Sequence, residues 1–120
     1  MTRTYALLIA STCALMTLGL WSGVPYVLAA GGNADKGKAV YGTNCEPCHG
    51  PQGMGDGPVG KTLKPPATDF MSAASKQKSE ADLLKIIEGG QPKTSMMAWK
   101  GRLSDEQLQD VLAYVLTLRK

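Results

Sequence analysis

Two of the three cysteines and the single histidine of this 120-residue chain fall within five consecutive positions, in the stretch NCEPCHG, Asn44 to Gly50. Cys45, Cys48 and His49 bring two soft thiols and one imidazole together, and three chemistries use such a set. A structural zinc site needs four ligands. Here there are three, contiguous in sequence, with no second Cys–His pair to complete them. A thioredoxin-like dithiol works within a βαβ frame, and the chain shows no strand pattern. Cys-x-x-Cys followed directly by His is the attachment pattern of a c-type haem. The two thiols add across the porphyrin's two vinyl groups, and the two intervening residues let the backbone arch between them. The next side chain is carried under the iron, where an imidazole nitrogen can bind it. Pro47 is compatible, since the middle positions carry no bond to the haem.

The rest of the chain must position these residues, and the first thirty stand apart from it. A short polar start with Arg3 precedes an uncharged run from Ala6 to Trp21, and then come Ser22, Gly23, Pro25 and the small residues Ala29 and Ala30. This order is that of a secretory signal peptide, residues 1–30, with cleavage expected after Ala29 or Ala30. The competing reading is an uncleaved anchor. Sixteen helical residues span roughly 24 Å, short of the roughly 30 Å hydrocarbon core of a membrane. Cys13 lies inside the apolar run and reads as a small apolar residue of the leader.

Residues 31–120 hold twelve basic and ten acidic residues, four aromatics, twelve glycines and six prolines. A formal charge near +2 with no basic stripe argues against nucleic acid as a partner. So few large apolar side chains build a marginal core, and a bound macrocycle would complete it. Three helices are expected. The first covers Ala34 to Asn44, with Asp35 as N-cap or first-turn acid and Gly37 one turn before Tyr41. The second runs from Ser79 to Glu88, with Ser79 and Asp82 as a capping box and Gly89–Gly90 as its stop. The last is capped by Ser104 with Gln107, and Leu108, Val111, Leu112 and Val115 recur at i, i+3, i+4, i+7. Between Gly50 and Thr68 lies a Gly/Pro-rich stretch without periodicity, of the kind that wraps a ligand.

Residues Ala34 to Lys120 resemble the small class I (monohaem) c-type cytochromes. That family places a glycine eight residues, and an aromatic four residues, before the first haem cysteine, and Gly37 and Tyr41 match. Its last helix crosses the first at that glycine through an aliphatic and an aromatic three apart, and Val111 and Tyr114 match. The resemblance implies an all-α class I cytochrome c fold, three main helices and loops wrapped around one covalently bound haem c held by Cys45 and Cys48.

A second axial ligand is the remaining question. His49 is the only histidine, so methionine is the soft candidate, one that raises the potential of a haem. Met54, Met71, Met96 and Met97 are available. The family carries its axial methionine in the loop before the last helix, often as Met-Pro-Ala-Trp. Aligning Ala98 and Trp99 with that pattern makes Met96 the ligand and puts Met97 in place of the proline that normally fixes the loop. Met71 suits core gap-filling. Trp99 is expected at the haem edge, and Pro58 is a candidate for presenting a carbonyl to the other imidazole nitrogen of His49. Lysines 61, 64, 76, 78, 85, 93 and 100 could ring the haem edge and guide acidic partners.

The resemblance implies a one-electron carrier rather than an enzyme, exported to a bacterial periplasm, monomeric, and shuttling between donor and acceptor redox proteins. It touches a membrane only if the leader is retained. Three other readings stay open: a haem c subunit of a dehydrogenase or oxidase complex, a five-coordinate haem protein that binds gases or peroxide, and a non-haem module that uses the Cys-x-x-Cys as a disulfide.

Overall fold

The computed structural model describes residues 31–120. The expected leader, its cleavage site and Cys13 lie outside the described residues. Five helices follow in order: α1 (Ala34–Asn44), α2 (Glu46–His49), α3 (Ala73–Lys76), α4 (Glu80–Gly89) and α5 (Asp105–Leu118), with a 3₁₀ turn at Gly60–Thr62. Within these residues the only β pairing is an isolated bridge between Lys100 and Leu103.

The three expected helices form, and their ends are set by side chains. Asn33 caps α1, its Oδ1 accepting from Asp35 N at 2.9 Å and Lys36 N at 3.0 Å, so Asp35 serves as the first-turn acid rather than the cap. Ser79–Asp82 and Ser104–Gln107 both form complete capping boxes. Helix α4 stops at Gly90, whose φ of 74° favours glycine. Helices α2 and α3 have four residues each, too short for periodicity to reveal.

The scaffold is the crossing of α1 over α5. Gly37 is buried, and a β-carbon there would overlap the Asp110 carbonyl and lie 3.0 Å from Tyr114 Cβ. At the contact Val111 is fully buried and Tyr41 is 1% exposed. The rings of Tyr41 and Tyr114 meet edge-to-face at 5.2 Å. Asp110, itself buried, accepts from Asn33 N at 2.6 Å and ties the start of α1 to the middle of α5. Leu83, Ile87, Leu108, Leu112 and Val115 join α4 to this core. Arg119, just past α5, donates to the carbonyls of Ser75 and Lys78 and pins the α3–α4 corner.

Candidate functional site

The Cys45–His49 segment is a single helical turn continuing from α1. Cys45 N donates to Tyr41 O at 2.8 Å, and His49 N then donates to Cys45 O at 2.9 Å. Pro47 sits in the first turn, where an amide proton has no helical acceptor, so it is tolerated. In a helical turn positions i, i+3 and i+4 share one face. Cys45, Cys48 and His49 are those positions, and all three line one cavity.

The loop after His49 folds back under this turn. Val59 N reaches Pro47 O at 2.9 Å, Gly55 N reaches His49 O at 2.8 Å, and Phe70 N reaches Gly53 O at 2.7 Å. Gly60 is buried with its backbone against the Cys48 carbonyl, where a β-carbon would overlap. The tyrosine of α1 takes part as well, its hydroxyl donating to Gly50 O at 2.6 Å.

His49 is oriented from two sides. Its Nδ1 is 3.2 Å from the Thr68 carbonyl, and Phe70 lies against its ring at 4.7 Å between centroids. A carbonyl only accepts, so the bond puts the imidazole proton on Nδ1 and leaves the Nε2 lone pair for a metal. Burial pushes the His49 pKa down, and the Thr68 bond opposes this in part. The neutral, ligating form is therefore favoured. Thr68 takes the part expected of Pro58, which is exposed. A backbone carbonyl nineteen residues away along the chain carries no side-chain signature, and the role of Phe70 was equally unmarked in sequence.

Both cysteines are free thiols. Burial, and then the neighbouring Cys48, push the Cys45 thiol up to about 11, so it stays protonated in this pocket.

On the other side of the chain, Met96 and Met97 line the same cavity as the Cys45–His49 turn, and so does Trp99. Met96 is half-buried and Met97 is 50% exposed. Met54 does not line the cavity and is 52% exposed. Met71 does not line it either and, contrary to the expectation of a core filler, is exposed, because the Asp69 carboxylate captures Met71 N at 2.7 Å in a tight turn. Trp99 is held by its backbone, its N–H shared between the Ile87 and Glu88 carbonyls at 3.1 Å each.

The cavity measures about 430 Å³, and its apolar wall includes Leu63, Leu83, Ile86, Ile87, Val111 and Val115. So apolar a wall suits a large apolar group, and the free thiols and the imidazole lone pair at its edge are those that a covalent haem c requires. Among the lining residues Lys78 is the one lysine, no arginine is present, and no carboxylate lines the cavity. A more open groove of about 640 Å³ along α1, lined by Asp35, Lys38, Glu46 and Tyr114 among others, holds none of these residues.

Comparison with known proteins agrees with this chemistry. The family model described as cytochrome C oxidase, cbb3-type, subunit III matches residues 32–115. Cytochrome c6 of Thermosynechococcus vestitus is 39% identical over 109 residues, which cover 88% of this chain and 87% of that one. Cytochrome c6 of Thermostichus vulcanus is 38% identical over the same shares. Among solved structures, the reducing HAO-like protein complex of Kuenenia stuttgartiensis superposes with a TM-score of 0.63 at 26% identity, over 72% of this chain and 42% of the matched one.

Proposed function

The chain belongs to the class I c-type cytochromes, small monohaem electron carriers, and on that premise we propose that it is an exported shuttle whose haem c is held by Cys45 and Cys48 and ligated by His49 and Met96. The family implies one covalent haem c, which supplies a one-electron couple between ferric and ferrous iron. The chain's own residues do the rest. Cys45 and Cys48 fix the group by thioether bonds. The Thr68 carbonyl and the Phe70 ring hold His49 so that Nε2 faces the metal. Met96, the less exposed of the two cavity methionines, would be the second protein ligand to the iron and would leave no open position for a substrate, as suits a carrier.

The observation that carries this reading is that one apolar cavity is lined by both the Cys45–His49 turn and Met96. Export is supported by the leader-like first thirty residues. The match to cytochrome c6 over 88% of the chain also reaches beyond residues 31–120 into that leader. Lysines 61, 64, 76, 85, 93 and 100 are exposed, which suits donor and acceptor proteins with acidic docking faces.

The test is carbon monoxide binding to the reduced holoprotein, read from its absorption spectrum beside Met96→Ala. Wild type should resist carbon monoxide and the variant should bind it. Ready binding by wild type would favour a five-coordinate, ligand-binding haem instead. The description of the matching family model motivates a second reading, a subunit of a larger oxidase. Stable co-purification with a large redox subunit from the native host would favour it over a free carrier.

A further inference from the structure

The loop that carries Met96 is tied to a turn in which one hydroxyl makes two bonds. Gln91 to Thr94 form a turn closed by Thr94 N donating to Gln91 O at 3.2 Å. Pro92 presets its first corner, and Lys93 occupies the second with φ 63°, the left-handed position that such a turn usually gives to glycine or asparagine. A β-carbon-bearing residue stays there only where neighbouring bonds over-determine it. The Thr94 hydroxyl supplies them. Its Oγ1 donates to the Gln91 carbonyl at 2.8 Å and accepts from Met96 N at 3.1 Å. Gln91 N in turn donates to Met96 O at 3.0 Å. Both backbone groups of Met96 are thus tied to the turn, one of them through the side chain of Thr94.

We propose that Thr94 is the positioning residue for the sixth ligand: its hydroxyl, bridging Gln91 O and Met96 N, holds Met96 toward the metal. This rests on the reading of Met96 as ligand. Thr94 lines the same cavity as Met96, but its hydroxyl is bonded to backbone groups of its own loop. It acts by keeping the population of the ligating loop conformation high, and any loss of that population appears as easier displacement of the methionine by an external ligand.

The experiment compares wild type, Thr94→Val, Thr94→Ser and Met96→Ala as holoproteins, reading carbon monoxide affinity of the ferrous form and the methionine-sulfur-to-iron absorption band of the ferric form. Valine keeps the shape and removes both hydroxyl bonds, which is expected to raise carbon monoxide affinity on the order of ten-fold and to weaken the sulfur band. Serine keeps the hydroxyl and should restore both to within about two-fold of wild type. If Thr94→Val matches wild type while Met96→Ala binds carbon monoxide freely, the positioning role is wrong and the ligand reading stands. If Met96→Ala resists carbon monoxide as wild type does, the ligand reading itself fails. Should the valine variant not load with haem, amide hydrogen exchange on wild-type holoprotein decides. The Met96 amide should exchange about ten-fold more slowly than that of Ser95, and equal rates would overturn the proposal.

Discussion

Gly37→Ala sets two effects of opposite sign against each other on one helix. Alanine in place of a helical glycine gains about 1 kcal/mol of helix propensity. At Gly37 the added β-carbon would overlap the backbone carbonyl of Asp110 on α5 and sit 3.0 Å from Tyr114 Cβ. A helical carbonyl cannot rotate aside, so α1 and α5 must part, and the contact they share includes Tyr41 at 1% and Val111 at 0% exposure. Overpacking of this kind costs about 1–3 kcal/mol, and uncovering those two side chains costs about 1–2 kcal/mol more at roughly 25 cal/mol per Å². The net expectation is a loss of about 2 kcal/mol, a fall in Tm of about 8–16 °C for a domain of this size. Gly42→Ala is the control on the same helix, because its β-carbon would meet only Glu46 Oε2 at 3.7 Å. It should stabilise by about 0.5–1 kcal/mol. Thermal unfolding of the two holoproteins by far-UV circular dichroism makes the comparison. A Gly37→Ala protein as stable as wild type, alongside a stabilised Gly42→Ala, would show that the helices do not cross as closely as this packing requires.

Three further perturbations test the links between the scaffold and the site. Tyr41→Phe leaves the buried Gly50 carbonyl without its 2.6 Å donor and should cost about 1–3 kcal/mol in chemical denaturation; a cost below about 0.5 kcal/mol would mean that water replaces the hydroxyl. Arg119→Met keeps the aliphatic stem but removes the bonds to the Ser75 and Lys78 carbonyls. It should destabilise by about 1–3 kcal/mol and speed amide exchange across Ser75–Lys78, whereas unchanged exchange there would remove Arg119 from the α3–α4 corner. Asp82 has its pKa lowered by hydrogen bonds from Ser79. Its contribution is therefore present above the unfolded carboxylate pKa, near 3.9, and is lost as pH falls through the lower folded value. Asp82→Asn should flatten the acid limb of a Tm-versus-pH curve over that window, and an unaltered limb would assign acid loss to other carboxylates.

What could be read from the sequence was local in the chain. Cys45, Cys48 and His49 declare their chemistry because a helical turn places i, i+3 and i+4 together without help from elsewhere. Ser79 with Asp82, and Ser104 with Gln107, close their boxes within four residues, and the apolar spacing of α5 is a property of α5 alone. Gly37 and Tyr114 lie far apart in sequence, and their pairing was legible only through the family resemblance, which supplies the crossing of the last helix over the first. The partner of His49 is a backbone carbonyl, and every residue has one, so choosing Thr68 over Pro58 depends on the path of a loop that has no periodicity. Arg119 reaches back to the carbonyls of Ser75 and Lys78, again backbone groups without a side-chain mark. Met71 looked like a core residue by composition, but a turn at Asp69 decides where it points. Thr94 is legible only once Lys93 is seen at positive φ.

The same division explains how so small a domain can serve as a carrier. A centre that exchanges one electron works best when its ligands do not move between oxidation states, because every displacement adds to the barrier. His49 is built on the turn that continues α1, and α1 is locked to α5 through Gly37, Asp110 and the Tyr41–Tyr114 contact. Met96 comes from the connection between α4 and α5, which is fastened at one end by Trp99 on the last turn of α4 and at the other by the Gln91–Thr94 turn. The two candidate ligands thus reach the cavity from separate segments that share α5 as their common wall, through Val111 and Val115. Rigidity on the His49 side comes from helix packing. On the Met96 side it comes from a few hydrogen bonds on an exposed loop. With His49 and Met96 as the ligands, loss of ligation should therefore begin at Met96 and reach His49 second.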